Sequence, residues 1–106
     1  MKRTILIYLM FLSLLACTAT RILQPAETDL PAAQQRIPNI SLTDLQSGYN
    51  LYVNKCSACH RLHNPAQYDE AKWKTILPEM YGKAKIEDED RKQKIENYLI
   101  AYSKQP

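Results

Sequence analysis

The sequence lacks the features of a β-sheet protein. No segment of its 106 residues alternates apolar and polar side chains long enough to predict a strand, and no Asn-Gly, Asp-Gly or Gly-Gly hairpin dipeptide occurs. It also lacks internal repeats and low-complexity segments. A chain of this length forms at most one domain, so these absences predict a single all-α domain.

The chain also lacks a strong charge imbalance. Of its 14 basic residues, Lys2 and Arg3 belong to an N-terminal leader, which leaves 12 basic against 11 acidic residues, a net charge of +1. We therefore predict no nucleic-acid binding. The acidic residues are scattered or lie near the C-terminus, so they predict no acid–base catalytic site and no catalytic residue.

The leader begins with the basic stretch Met1-Lys2-Arg3 and continues with an uncharged, mostly apolar run from Ile5 to Ala16. This run is shorter than the ~20 residues that a membrane-spanning helix needs. Ending in Ala16-Cys17, it resembles the signal of bacterial lipoproteins. That resemblance implies cleavage between the two residues, a lipid anchor on Cys17 and a place in the bacterial cell envelope, on the periplasmic side. Thr18 rather than Asp follows the cysteine, which favours the outer membrane by analogy.

An ordinary secretory signal is the alternative interpretation of the leader. It would be cut near Ala16 or Ala19 and would leave a free Cys17 or none. The lipoprotein interpretation is favoured, and it makes residues 1–16 the signal peptide.

Residues 17–40 are predicted to be a lipidated cysteine and a flexible tether. They contain three of the six prolines, and we find neither a helical nor a strand period among their apolar residues. The folded domain is then expected to cover residues 41–106.

Three helical stretches are expected in that domain. The first opens at Ser41, which has Asp44 three residues on, as in a capping box. The second follows a possible cap at Asp69, and its apolar stripe consists of Trp73, Ile76, Leu77, Met80 and Ala84. Pro78 interrupts this stripe and predicts a kink or an end near Leu77. The third runs from about Glu87 to Ser103.

Cys56-Ser-Ala-Cys59-His60 is the motif that points to a chemistry. A thiol–disulfide pair usually follows a strand, and no strand is predicted here. A zinc site would need four ligands, usually drawn from two separate segments, whereas Cys56, Cys59, His60 and His63 lie within eight residues. A chance coincidence of three rare residues is the remaining alternative to haem.

Covalent attachment of one haem c explains the motif best. In C-x-x-C-H the two thiols bond to the haem vinyl groups, and the histidine that follows reaches the iron. Ser41 to Pro106 is shorter than the ~70–80 residues below which a core usually needs extra support, and a bound haem would provide it. Cys56 and Cys59 are therefore the candidate attachment sites and His60 the candidate axial ligand.

Met80 is the candidate for the second axial ligand. It is the only methionine after the leader and shares the stripe of Trp73. His63 lies three residues from His60, on the same side, so we expect it to be a loop or surface residue. Ligation by His and Met raises the reduction potential of a haem.

On these residues the chain resembles the class I cytochrome c family, from Ser41 to about Tyr102. The resemblance implies a small fold of about three helices around one haem, with a near-perpendicular crossing at which Gly48 meets Tyr98. It also implies that Trp73 belongs to the haem environment, and that a proline carbonyl, matched here by Pro65, orients the His60 imidazole.

The expected function is single-electron transfer by a monohaem cytochrome, not an enzyme, that meets redox partner proteins of the envelope. We expect a monomer, held at a membrane by the lipid on Cys17. Two alternatives remain open. One is a haem domain whose iron is five-coordinate or whose Met80 is labile, acting as a sensor or an enzyme subunit. The other, less favoured, is a thiol–disulfide lipoprotein without haem.

Overall fold

The computed structural model describes residues 22–106 and, in the leader, Ile5 and Ile7. The predicted cleavage site and the lipid anchor at Cys17 lie outside the described residues. Four α-helices occur in residues 22–106, and the β-type pairing there is a single bridge between Asp69 and Lys104. The predicted all-α fold is therefore confirmed. In the part of the chain that the structure describes, no helix is both long enough and apolar enough to cross a membrane.

The first helix corrects the predicted tether. Residues Glu27–Asp29 form a 3₁₀ turn, and Leu30–Arg36 form helix α1. Ala33 and Ile40 are buried against Leu45 of the next helix. Pro31 sits in the first turn of α1, where a missing backbone donor costs nothing, so this proline starts a helix instead of preventing one.

Long-range hydrogen bonds attach this segment to the C-terminal part of the chain. Arg36 donates to the carbonyl of Ser103 at 2.9 Å, and the Tyr102 hydroxyl donates to Asp29 at 2.7 Å. The Tyr98 hydroxyl donates to the carbonyl of Leu23 at 3.1 Å. We call residues 22–40 the N-terminal strap, because they are part of the folded domain and not a free linker.

Helix α2 spans Leu42–Leu51 and begins at the predicted capping box. The Ser41 hydroxyl accepts from the Asp44 amide at 3.0 Å, and the Asp44 carboxylate accepts from the Ser41 amide at 3.2 Å. The helix continues as a π-helical turn over Tyr52–Cys56. Turns of this rare kind are often found at functional sites.

Helix α3 spans Glu70–Lys83, so of the predicted kink or end near Leu77, the end is wrong. Its first turn is capped as expected by Asp69, which accepts from the Lys72 amide at 2.8 Å. Pro78 removes the donor that would reach the carbonyl of Lys74. Lys74 and Pro78 are both exposed, so water can hydrate the freed carbonyl, and the helix continues.

Helix α4 spans Glu89–Ala101 and begins at Asp88, which accepts from the Arg91 amide at 2.8 Å. Its face of Ile95, Tyr98 and Leu99 is fully buried. A side chain at Gly48 of α2 would lie 2.7 Å from Cβ of Tyr98 and still closer to the Lys94 carbonyl. The expected contact between Gly48 and Tyr98 is thus present.

Candidate haem-binding cleft

One apolar cleft gathers the residues that the motif singled out. It encloses about 640 Å³ of space, a volume that includes the part open to solvent. Three segments form its walls: the π-helical turn, the loop that follows it, and one face of α3. We call this loop, residues 57–68, the histidine loop. The lining residues are Tyr52, Lys55, Cys56, Cys59, His60, Leu62, His63, Trp73, Ile76, Leu77, Met80, Lys83 and Ala84.

The two cysteines occupy different surroundings in this cleft. Cys56 ends the π-helical turn and is half-buried, and this burial raises the pKa of its thiol. Cys59 lies in the turn that follows and is exposed. Both are free thiols, so neither is engaged in a disulfide.

His60 is exposed at the mouth of the cleft. Its Nδ1 lies 2.7 Å from the carbonyl oxygen of Arg61. A carbonyl only accepts, so Nδ1 carries the proton, and Nε2 is left with the lone pair that a metal ligand needs. This contact corrects the expected orienting role of Pro65, because the carbonyl next to the imidazole belongs to Arg61.

The carbonyl of Pro65 has another partner. It accepts from the indole Nε1 of Trp73 at 2.8 Å, and both residues are buried. The indole ring packs edge-on against Tyr52 and Tyr68, at centroid distances of 6.3 and 5.2 Å. Trp73 thus lines the cleft and is hydrogen-bonded to the histidine loop.

Met80 lies on the wall that α3 contributes, together with Trp73, Ile76 and Leu77. Because the helix continues through Pro78, Met80 keeps its helical position one turn after Ile76. The thioether of Met80 and the imidazole of His60 therefore line the same cleft from two different chain segments.

His63 lies in the histidine loop, as the expectation of a loop or surface residue allows. It is half-buried and lines the cleft, with its ring centroid 5.5 Å from that of His60. Its Nδ1 lies 3.3 Å from the Gln67 side-chain oxygen. The two imidazoles are neighbours in the histidine loop.

Several cleft residues were not singled out from the sequence. Tyr52, Lys55, Leu62 and Lys83 belong to this group. Tyr52 did carry a signal, because it shares the helical face of Gly48 and Cys56. Leu62, Lys55 and Lys83 carried no such signal in the sequence, because their position in the cleft depends on how the histidine loop folds back on α3.

The donor set fits haem better than a bare metal ion. Among the residues that the structure describes, no three His, Cys, Asp or Glu side chains come together as a metal cluster requires. The cleft instead combines two thiols, an imidazole and a thioether with apolar walls. These are the groups that attach, ligate and cover haem c, so the residues present fit this cofactor.

The comparison with known families agrees with the class of protein that this cleft defines, a c-type cytochrome. The family model described as dihaem cytochrome c matches residues 52–106, just over half of the chain. The chain belongs to this family. No curated protein and no solved structure was found to match the chain.

Proposed function

We propose that this chain is a monohaem cytochrome c that carries single electrons and catalyses no reaction. The observation that carries the proposal is that Cys56, Cys59, His60 and Met80 all line one apolar cleft. The first three come from a single motif. The fourth comes from α3, across the cleft.

Each of these residues has a role in holding the cofactor. The thiols of Cys56 and Cys59 would form the two thioether bonds, and His60 and Met80 would be the axial ligands. The bound haem supplies a reversible one-electron Fe(III)/Fe(II) couple. Trp73 and Leu77 are buried, and the apolar wall that they share would cover part of the bound haem.

One haem per chain is the number that the sequence supports. The family's description names two haems, but the 106 residues contain a single C-x-x-C-H, at Cys56 to His60. Each covalently attached haem requires its own pair of cysteines in this motif. The chain proposed here therefore differs from the family's description in haem number only.

A sensor or enzyme with a labile methionine is the weaker candidate. Its only hint in the sequence was Pro78, two residues before Met80, which puts the local path of the chain to the iron in doubt. Helix α3 continues through Pro78, and Met80 lines the cleft. No contact of the described residues favours this second function.

A membrane anchor on Cys17 remains part of the proposal, and the leader sequence is its support. The packed strap changes the geometry that such an anchor would allow. Cys17 lies only five residues before Ile22, where the strap begins, and this stretch spans at most ~18 Å when extended. The proposed monomer would thus stay close to the membrane, on the periplasmic side, and exchange electrons with redox proteins at that surface.

An absorption spectrum of the exported full-length protein tests the proposal. The protein is produced in a bacterial strain that matures c-type haem, and spectra are recorded oxidised and reduced, before and after acid–acetone extraction. We expect haem that stays with the protein, a low-spin reduced spectrum and the weak far-red ferric band of sulfur ligation. Retained haem with a high-spin spectrum would support the labile-methionine alternative, and no retained haem would overturn the proposal.

A further inference from the structure

The histidine loop has little regular structure of its own. Between the π-helical turn and α3, its one element is the 3₁₀ turn Pro65–Gln67, and Pro65 is its one buried residue. Local bonds in the loop include those that join the side chain and carbonyl of Asn64 to the amides of Ala66 and Gln67. Such bonds shape the turn but do not attach it to the core.

Two aromatic side chains of the core supply that attachment. The Tyr52 hydroxyl donates to the carbonyl of His63 at 2.6 Å, and the Trp73 indole donates to the carbonyl of Pro65 at 2.8 Å. The acceptors are two residues apart, and the first is three residues beyond His60. The donors come from the π-helical turn and from α3, so the loop is held from both neighbouring elements.

The two donors are themselves rigidly placed. Tyr52 is 4% exposed and Trp73 2% exposed, and their rings pack edge-on at a centroid distance of 6.3 Å. Burial raises the pKa of the Tyr52 hydroxyl well above its ordinary value, so the group stays protonated and remains a donor. A buried donor that lost its acceptor would carry the full cost of desolvation, which favours the closed loop.

We propose that Tyr52 and Trp73 are positioning residues that clamp the histidine loop and hold His60 at the mouth of the cleft. Both act through backbone carbonyls of the loop. This inference rests on the proposed function in one respect only, the assignment of His60 as an axial ligand of haem iron. A clamped loop fixes the direction from which the imidazole meets the iron, and an imidazole held in place is a stronger donor than one free to move away.

Tyr52→Phe is the test variant, and Tyr98→Phe is its matched control. Each substitution removes one hydroxyl that donates to a backbone carbonyl and keeps the ring in the same core cluster. The Tyr98 bond, however, goes to Leu23 in the N-terminal strap and not to the loop. A merely structural role of the hydroxyl would therefore affect the two variants alike.

The first measurement is amide hydrogen exchange of the holoprotein at Ala66 and Gln67, the two loop amides that donate to Asn64. We expect Tyr52→Phe to exchange roughly three- to tenfold faster there, the factor that corresponds to one net hydrogen bond. Tyr98→Phe should leave exchange at these amides unchanged and speed exchange in the strap. Equal loop exchange in the two variants and the wild type would overturn the clamp.

The second measurement is the reduction potential. Weaker donation from a loosened imidazole stabilises ferric iron less, so we expect a higher potential in Tyr52→Phe and the wild-type potential in Tyr98→Phe. Equal potentials in all three proteins would contradict the positioning role.

Two outcomes need a separate reading. If Tyr52→Phe does not fold, exchange in the wild type decides. Protection of the Ala66 and Gln67 amides comparable to that of α3 supports the clamp, and exchange at the rate of an open chain overturns it. If no haem is attached, the proposed function fails, and loop exchange in the purified protein still tests the clamp.

Discussion

Gly48 of α2 and Tyr98 of α4 pack so closely that residue 48 has no room for a side chain. A Cβ atom there would lie 2.7 Å from Cβ of Tyr98 and would also collide with the carbonyl oxygen of Lys94. The glycine is therefore required by the contact between two helices and not by its backbone angles, since neither glycine has a positive φ.

Gly48→Ala should lower the free energy of unfolding by about 1–3 kcal/mol, because the backbone of one helix must move away. Gly82→Ala is the control. It also lies in a helix, but its added methyl group would meet nothing within 4 Å, so it should be neutral or stabilising by up to ~1 kcal/mol. Denaturant unfolding of the holoproteins measures both, and equal effects would contradict this account of the contact.

Met80→Ala should open the iron to carbon monoxide or cyanide, lower the reduction potential and abolish the far-red ferric band. Ile76→Ala is the control, because Ile76 lines the same cleft one turn earlier but has no ligating atom. It should keep the band and the low-spin spectrum. Ligand titrations and redox potentiometry check both variants.

His63→Ala tests whether the second imidazole of the histidine loop, and not Met80, is the second axial ligand. If Met80 is the ligand, this variant keeps the far-red band and the low-spin state. Loss of low-spin haem in His63→Ala, with an unchanged spectrum in Met80→Ala, would transfer the second ligand position to His63.

Ala33→Asp should destabilise the protein by roughly 2–4 kcal/mol, because it either buries an unpaired carboxylate or displaces α1 from the core. Ala33 is 2% exposed. The adjacent Ala32 is exposed, so Ala32→Asp should change stability by no more than ~0.5 kcal/mol. If both variants are as stable as the wild type, the strap contributes nothing to the fold.

Ser41→Ala should cost about 1 kcal/mol near neutral pH through loss of the helix cap. The Ser41 hydroxyl and amide lower the pKa of Asp44 below its ordinary 3.8. A lowered carboxyl pKa stabilises the fold above the unfolded-state value, and this contribution is lost as pH falls through the folded-state pKa. The difference between wild type and Ser41→Ala should therefore shrink below about pH 4.

Asp44→Asn is the control for this pH dependence. It has no carboxylate to titrate, so its difference from Asp44→Asn,Ser41→Ala should be the same at neutral and acidic pH. Urea unfolding at both pH values gives these differences. A wild-type difference independent of pH would contradict the role of the Asp44 charge.

The sequence was most informative where one short segment carries the whole signal. The caps at Ser41 and Asp69 depend on residues three positions apart, and the cysteines and His60 belong to one pentapeptide. Met80 could be chosen because it is the only methionine after the leader and lies on the stripe of Trp73. The helix caps were confirmed, and the roles of the ligands remain predictions.

The strap differs from the predicted tether because its prolines do not prevent a helix. Contrary to the expectation from the sequence, three of its apolar residues do have helical spacing: Leu30, Ala33 and Ile37, with Pro31 between the first two and Pro38 after the last. In the structure Pro31 opens α1 and Pro38 follows its end, so the prolines mark the limits of the helix. The sequence does not predict what this short helix packs against, because its contacts are with residues of other segments. It packs against Leu45 of α2, and the strap is also hydrogen-bonded to residues near the C-terminus.

The sequence by itself determined the helical class, the attachment motif and the candidate ligands, because these follow from local spacing and residue type. Only the tertiary structure decided that α3 continues through Pro78, that the Pro65 carbonyl bonds to Trp73 and not to His60, and that Tyr52 reaches the carbonyl of His63. Each of these depends on the solvent exposure of a residue or on which groups meet when helices pack, and periodicity along the chain carries no information about either.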